Sequence, residues 1–163
     1  MAELYKLYHG SLVRLLYRRT GDRDQAEDLA QEVFVRAMES PPQNPKPWLF
    51  AVALNLVRDD GRRAIRQERK LELLKGEQDG ASAPAADHDI ERGERVEAVR
   101  AALAQLSEND REALLLKAEG FNYDEIASAL GLSKGAIGTT LARARRRLVE
   151  AYGAKGRMKD AAR

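Results

Sequence analysis

Cysteine is absent from the 163 residues, which excludes disulfides, thiolate metal sites and a cysteine nucleophile. Histidine is scarce. His9 and His88 lie far apart with no carboxylate pattern around them, so surface positions are expected rather than a metal or catalytic site. Aromatic residues make up 6% of the chain. No apolar run approaches the roughly 20 residues of a membrane-spanning helix. The N-terminus lacks the pattern of a signal peptide, and a cytoplasmic location is expected. What the chain does have is charge, 33% of its residues, beside an ordinary 44% hydrophobic content. At this length one or two domains are expected, each with a modest core.

The net charge of +2 hides a division along the chain. Residues 1–75 hold 14 basic and 11 acidic side chains, residues 76–97 hold 2 and 7, and residues 98–163 hold 12 and 8. Two basic blocks therefore flank an acidic spacer.

The most informative stretch is Ser107 to Glu150. Ser107 with Asp110 has the spacing of a capping box, and Gly120 reads as a stop. Asn122 with Glu125 repeats the start signal, Ile126, Ala127 and Leu130 supply an apolar face, and Gly131 stops that helix. Ser133 then caps a helix in which Ile137, Leu141, Ala144 and Leu148 recur at helical spacing. Two helices joined by Gly131-Leu132-Ser133 make a helix-turn-helix, whose second helix usually enters the DNA major groove. Turning its apolar face inward places Gly135, Thr139, Ala142, Arg143 and Arg146 outward, with Arg145 and Arg147 on the flanks. Small residues can approach base edges, while arginines neutralise phosphate or read guanine. A solvated basic helix on a protein-binding domain would carry the same charge; the turn signature favours DNA.

From the start of the chain, Leu4, Tyr8, Leu12, Leu15 and Leu16 predict a helix over residues 2–20, ending near Gly21. Asp24 with Glu27 predicts the start of a second helix reaching about Glu39, with Ala26, Leu29, Ala30, Val33 and Ala37 buried. Asp28, Gln31, Glu32 and Val35 fall together on its opposite face, which on an isolated helix would be merely solvated. Ser40 to Pro47 holds four prolines and cannot continue the helix. From Pro47 a long helix is expected to about Leu74, burying Leu49, Ala53, Leu56 and Val57. Trp48, Asn55, Arg58, Asp59, Arg62 and Arg66 gather along the other side. An aromatic, an amide and arginines on one stripe suit single-stranded nucleic acid, through stacking, edge recognition and phosphate contacts. The plainer alternatives are a core tryptophan and salt bridges from the arginines to Asp59 and Asp60. Lys75 to about Glu94 is rich in Gly, Ala, Pro and acid and reads as a flexible acidic linker. A helix from about Arg95, with Val99, Ala102, Leu103 and Leu106 inward, leads into the C-terminal motif. After Tyr152 the polar tail is expected to fray.

These pieces, in this order, resemble an extracytoplasmic-function (ECF) sigma factor of bacterial RNA polymerase, over roughly residues 3–150. The resemblance is carried by DRDQAEDLAQEVFVRAM (Asp22 to Met38), by PWLFAVALNLVRDDGRR (Pro47 to Arg63) and by LSENDREALLLKAEGFNYDEIASALGLSKGAIGTTLARARRRL at the C-terminal end. It implies an all-α protein of two small helical domains, residues 1–74 and 95–152, joined by the acidic linker 75–94 and followed by a polar tail, 153–163. It also implies a transcription initiation factor without catalytic activity, cofactor or metal. Asp28, Gln31, Glu32 and Val35 would then meet the coiled coil of the polymerase's largest subunit, with a further contact at the flap region. Asn55 and the loop Pro41 to Lys46 would capture a flipped base of the −10 non-template strand, at a cost of a few kcal/mol of unstacking. Arg58, Arg62, Arg63 and Arg66 would hold that strand. Trp48 matches one position of a paired-aromatic wedge, whose second position here is Leu49. Lys134 to Arg147 matches the helix that reads the −35 duplex, with Lys134, Thr139, Arg143 and Arg146 as candidate contacts. Gly138 and Thr140 depart from the Lys or Arg often found there. An anti-sigma protein is an implied partner.

Two other classes fit parts of the chain. A stand-alone helix-turn-helix regulator would need an effector pocket or a dimer stripe, and the sequence offers neither. An enzyme would need the carboxylates Asp22, Asp24, Glu27, Asp28 and Glu32 to gather on a metal, yet no Glu-x-x-His pair is present.

Overall fold

In the computed structural model, residues 1–75 and 90–161 are described; among them are seven helices and no strand. The first three are α1 (Ala2–Thr20), α2 (Arg23–Glu39) and α3 (Pro45–Lys75). They pack around Leu12, Leu15 and Leu16 of α1, the predicted apolar face of α2 together with Phe34, and Leu49, Ala53, Leu56 and Val57 of α3, all buried. The α1–α2 turn needs a glycine for its positive φ, whereas the nearby Arg100 side chain could shift to admit a Cβ. Gly21 ends α1 at φ 74° with its N–H donating to the Tyr17 carbonyl at 2.7 Å, and a Cβ there would lie 2.9 Å from Arg100 Nε. His9 is half-buried rather than a plain surface histidine, its ring stacked 4.4 Å from that of Tyr5. His88 lies outside the described residues.

Helix starts differ from expectation by a residue or two, for local reasons. Asp22, not Asp24, caps α2. Its extended backbone suits the N-cap and its carboxylate accepts the Gln25 N–H at 3.1 Å, while Asp24 sits in the first turn facing the positive end of the dipole. Helix α3 begins at Pro45 rather than Pro47. Both prolines fall in the first turn, where backbone N–H groups have no intrahelical partner to lose.

The remaining helices are α4 (Ile90–Ala104), α5 (Glu108–Ala118), α6 (Tyr123–Leu130) and α7 (Lys134–Ala161). Helix α4 starts at Ile90, not near Arg95, because Glu91 and Arg92 favour helix enough to carry Gly93, which costs roughly 1 kcal/mol. The expected linker otherwise falls on residues 76–89, outside the described residues. Ala102, Leu103 and Leu106 are buried as expected, whereas Val99 is exposed. At the other end α7 continues to Ala161 instead of ending near Tyr152, although it carries Gly153 and Gly156, each costing roughly 1 kcal/mol in a helix.

The two halves share one apolar core. Helix α3 buries Phe50 and Leu54 as well as its predicted side and packs against α6. The Phe50 and Phe121 rings meet edge to face with centroids 4.7 Å apart. Two carboxylates are fully buried on α5, Asp110 and Glu112. The Ser107 hydroxyl does accept the Asp110 N–H at 3.3 Å. The Asp110 carboxylate, however, does not complete a capping box. It binds Arg143 Nη2 at 2.7 Å and Nε at 3.2 Å, and Arg147 Nη1 at 3.3 Å, tying α5 to α7.

Those bonds, with Arg143 the leading contributor, hold the Asp110 carboxyl below its ordinary pKa. A depressed carboxylate stabilises the fold above its unfolded pKa, and that contribution is lost as pH falls through the folded value. In thermal melts followed from about pH 7 to about pH 2, the wild-type melting temperature should fall steeply below roughly pH 4. Asp110→Asn should be less stable at neutral pH and show a flatter acid limb; parallel curves for the two proteins would show that the pair does not contribute.

Candidate polymerase and nucleic-acid interfaces

The buried face of α2 forces the other face outward. Asp28, Gln31, Glu32 and Val35 recur at i, i+3, i+4 and i+7 and are all exposed, with Val35 51% accessible. Met38, 64% accessible, extends the stripe by one turn; the same spacing would have found it in the sequence. Glu32 accepts a bond from Arg36 Nη2 at 2.9 Å, leaving Asp28 and Gln31 as the polar groups beside two exposed apolar side chains. Carboxylate, amide and apolar surface on one rigid helix suit docking to a protein. The α2 carboxylates do not build a metal site: no group of three or more metal-ligating His, Cys, Asp or Glu side chains occurs among the described residues.

The α3 stripe is only partly available. Trp48 is half-buried and packs against the core, combining the two readings of it. Asn55 is exposed, its Oδ1 accepting a bond from Arg58 Nη1 at 3.3 Å. Arg58 does not pair with Asp59 or Asp60, which point away from it at adjacent helix positions. It reaches across to α5 instead. Its Nε donates to Glu112 Oε1 at 2.9 Å, its Nη2 to Glu112 Oε2, and Glu108 Oε2 lies 3.6 Å away. The hydrogen bonds to Glu112 raise the Arg58 pKa. Arg62, Arg63 and Arg66 are exposed; Arg66 Nε donates to the Arg62 carbonyl at 3.4 Å. Lys46, in the first turn of α3, lies 3.0 Å from Glu125 Oε2 and 4.7 Å above the Phe121 ring.

Arg19 and Arg111 sit behind the Arg58–Glu112 pair. Burial lowers the pKa of both, and each has a buried Nε with no hydrogen-bond partner. Of this cluster the sequence singled out Arg58 alone.

Within the C-terminal motif, the start and stop of α6 form as their signals predict. Asn122 Oδ1 accepts the Glu125 N–H at 2.8 Å, and Glu125 Oε1 accepts the Asn122 N–H at 2.9 Å, a complete capping box. Gly131, at φ 67°, ends α6, and the Leu132 N–H returns to the Ala127 carbonyl at 3.0 Å. On α7, Ile137, Leu141 and Ala144 are buried and Leu148 is half-buried. Thr139, Ala142, Arg145, Arg146 and Arg147 are exposed. Arg143 is not simply outward as expected: it is half-buried, its guanidinium drawn onto Asp110. Lys134 is exposed but lies 3.3 Å from Asp124 Oδ2. Thr140 turns inward, its hydroxyl donating to the Ala136 carbonyl at 2.8 Å, so it presents nothing to a duplex. Thr139 and Arg146 are thus the candidates with no ion pair to break.

Comparison with known proteins gives the arrangement a lineage. Residues 4–70 match the family Sigma-70 region 2, and residues 96–148 match Sigma-70, region 4. The ECF RNA polymerase sigma factor SigM of Bacillus subtilis is 32% identical over 157 residues, spanning 92% of this chain and 93% of SigM. The ferric citrate uptake sigma factor FecI of Escherichia coli is 31% identical over 86% of this chain and 84% of FecI. Among solved structures, the sigma factor RpoE bound to the anti-sigma factor NepR from Bartonella quintana superposes with a TM-score of 0.66, at 26% identity, over 92% of this chain and 94% of RpoE. CnrH in complex with the cytosolic domain of CnrY gives a TM-score of 0.66 at 25% identity, over 94% of this chain and 87% of CnrH. No helix among the described residues is long and apolar enough to cross a membrane. With two helical units, a capped helix-turn-helix at the second and sequence matches over both, the chain belongs to the ECF sigma factors of bacterial RNA polymerase.

Proposed function

We propose that this chain docks on the polymerase core in the cytoplasm and directs it to promoters, reading the −35 element as duplex and trapping the opened −10 strand. The observation that carries this reading is the coexistence of an exposed stripe at Asp28, Gln31, Glu32 and Val35 with a helix-turn-helix whose second helix presents Thr139 and Arg146. A lone DNA-binding domain has no use for the first, and a lone protein-binding domain has no use for the second. Residues 1–74 would serve the core and the −10 strand, residues 95–152 the −35 duplex. Residues 75–94 would be the strap between them. The polymerase does the chemistry; this chain supplies binding energy and register.

At the −10 strand, Asn55 would read the extruded base while Arg62, Arg63 and Arg66 hold phosphates. Arg58 would join them once released from Glu112. Trp48, held by the core on one side, would offer its other face for stacking. At the −35 duplex, Thr139 lies where it can approach base edges, Arg146 meets backbone or guanine, and Lys134 and Arg143 join after exchanging a carboxylate for a phosphate. The solved relatives bound to NepR and CnrY support an anti-sigma protein as a further partner.

Run-off transcription with purified core polymerase on a random promoter pool tests the whole reading: start sites sharing two elements are expected, and no directed start with any template would overturn it. Asp28→Ala combined with Gln31→Ala should weaken binding to core polymerase at least several-fold with helix content unchanged by circular dichroism; wild-type binding would remove the assigned surface. Asn55→Ala should slow open-complex formation more than it weakens initial duplex binding, and an equal loss in both would contradict base capture. Arg146→Ala should lower the slope of log affinity against log salt on −35 duplexes by about 1. Arg143→Ala should in addition reduce thermal stability, since it strips Asp110 of its closest partner.

A further inference from the structure

We propose that the cleft between the α1–α2 turn, α3 and the start of α5 binds a small phosphate monoester, its phosphoryl group held by Arg19 and Arg62 and its hydroxyl-bearing part meeting Gln25 and Asp60. The cleft encloses about 360 Å³, within the range of small-molecule sites. Arg19, Gln25, Asp60 and Gly61 line it, and none of them has a part in the polymerase, −10 or −35 contacts assigned above. The inference therefore stands apart from the strand-binding reading of α3.

The positive charge around the cleft is not met from within. Arg58 is on its wall, but takes both nearby carboxylates of α5, Glu112 through two hydrogen bonds and Glu108 at 3.6 Å. Arg19, Arg62 and, behind the wall, Arg111 form no ion pair among the described residues. Arg111 is only 9% exposed and its Nε has no partner; the Arg19 Nε is likewise buried and unpaired. Burial and then the charge of Arg111 lower the Arg19 pKa, the mark of cations crowded together out of water. Guanidiniums have donors only and stay charged, so what they lack is an oxyanion. A phosphate monoester brings about two negative charges at pH 7 and three acceptor oxygens, and it matches the fork of an arginine.

The rest of the wall suits the other end of such a molecule. Val57 and Ile65 supply apolar surface. The Asp60 carboxylate and the Gln25 amide, neither engaged by another side chain among the described residues, can accept from and donate to hydroxyl groups. A sugar or nucleoside phosphate combines hydroxyls, a carbon face and the phosphoryl group in one small body. Gly61 carries the fit further. It lies inside α3, where glycine is among the weakest helix formers, and a Cβ there would meet nothing within 4 Å. Neither packing nor a positive φ requires glycine at this position. What its missing side chain leaves is room at the wall of the cleft.

Isothermal titration calorimetry of the full chain with inorganic phosphate, AMP and adenosine tests this. Phosphate and AMP should both saturate at millimolar concentrations, AMP about tenfold tighter, and adenosine should not bind. Arg19→Gln removes a cation that leaves no carboxylate unpaired; it should abolish both interactions without lowering the melting temperature. Gly61→Leu, which fills the cleft and keeps every charge, should weaken AMP about tenfold and spare inorganic phosphate. It keeps the assignment testable if Arg19→Gln folds poorly. Arg145→Gln, at an exposed cation of α7, should change neither affinity. No saturation by phosphate or AMP in the wild type overturns the inference. So does an equal loss in Arg145→Gln, which would reduce the binding to diffuse attraction by surface charge. The promoter strand is the other source of phosphate. In complex with core polymerase, Arg19→Gln should bind a −10 non-template oligonucleotide as the wild type does. A parallel loss of oligonucleotide and AMP would make the cleft a stretch of the strand's path and not a ligand site.

Discussion

The pair formed by Arg58 and Glu112 governs the rest of this structure. A carboxylate with no solvent exposure is tolerated only when paired and hydrogen-bonded, because taking it out of water costs several kcal/mol. Glu112 belongs to one half of the chain and its partner to the other. That bond ties α3 to α5 beside the place where α3 packs on α6 and Phe50 meets Phe121. The apolar contact supplies the bulk of the favourable burial, and the ion pair makes the register specific, since a slip of one helical turn would leave a naked buried charge. Asp110 plays the corresponding part inside the C-terminal half, fixing α7 on α5 through two arginines of the helix assigned to DNA.

Much of the fold was legible because it is written locally. Gly21 and Gly131 stop helices through positive φ, and Asn122 with Glu125 closes a capping box, each within a few residues of sequence. The core faces of α1, α2 and α7 followed from spacing alone. The errors share a cause. Ser107 and Asp110 have the spacing of a capping box, but aspartate is one methylene shorter than the Glu that closes the box at Asn122, and Arg143 takes its carboxylate first. Periodicity assigns a helix one buried side, so the second buried side of α3, at Phe50 and Leu54, was hidden. Arg58 read as a strand-facing arginine or one paired with Asp59 or Asp60 because its partner lies 54 positions away, and nothing local announces a contact at that separation.

The candidate sites show the same division. The α2 stripe was readable because it is defined by what its other face buries, needing no knowledge of distant residues. On α7 the sequence placed the exposed cations but could not tell which of them were free, since that depends on carboxylates contributed by α5 and α6. Thr139 and Arg146 stand out only once Lys134, Thr140 and Arg143 are seen to be engaged.

Glu125 adds a consequence of its own. One of its oxygens closes the cap of α6 and the other meets Lys46, so the same side chain serves its own helix and the neighbouring half at once. Pulling the halves apart removes the second bond and leaves the first. The cap of α6 is therefore independent of the contact between the halves, and loosening that contact would leave the start of this helix intact.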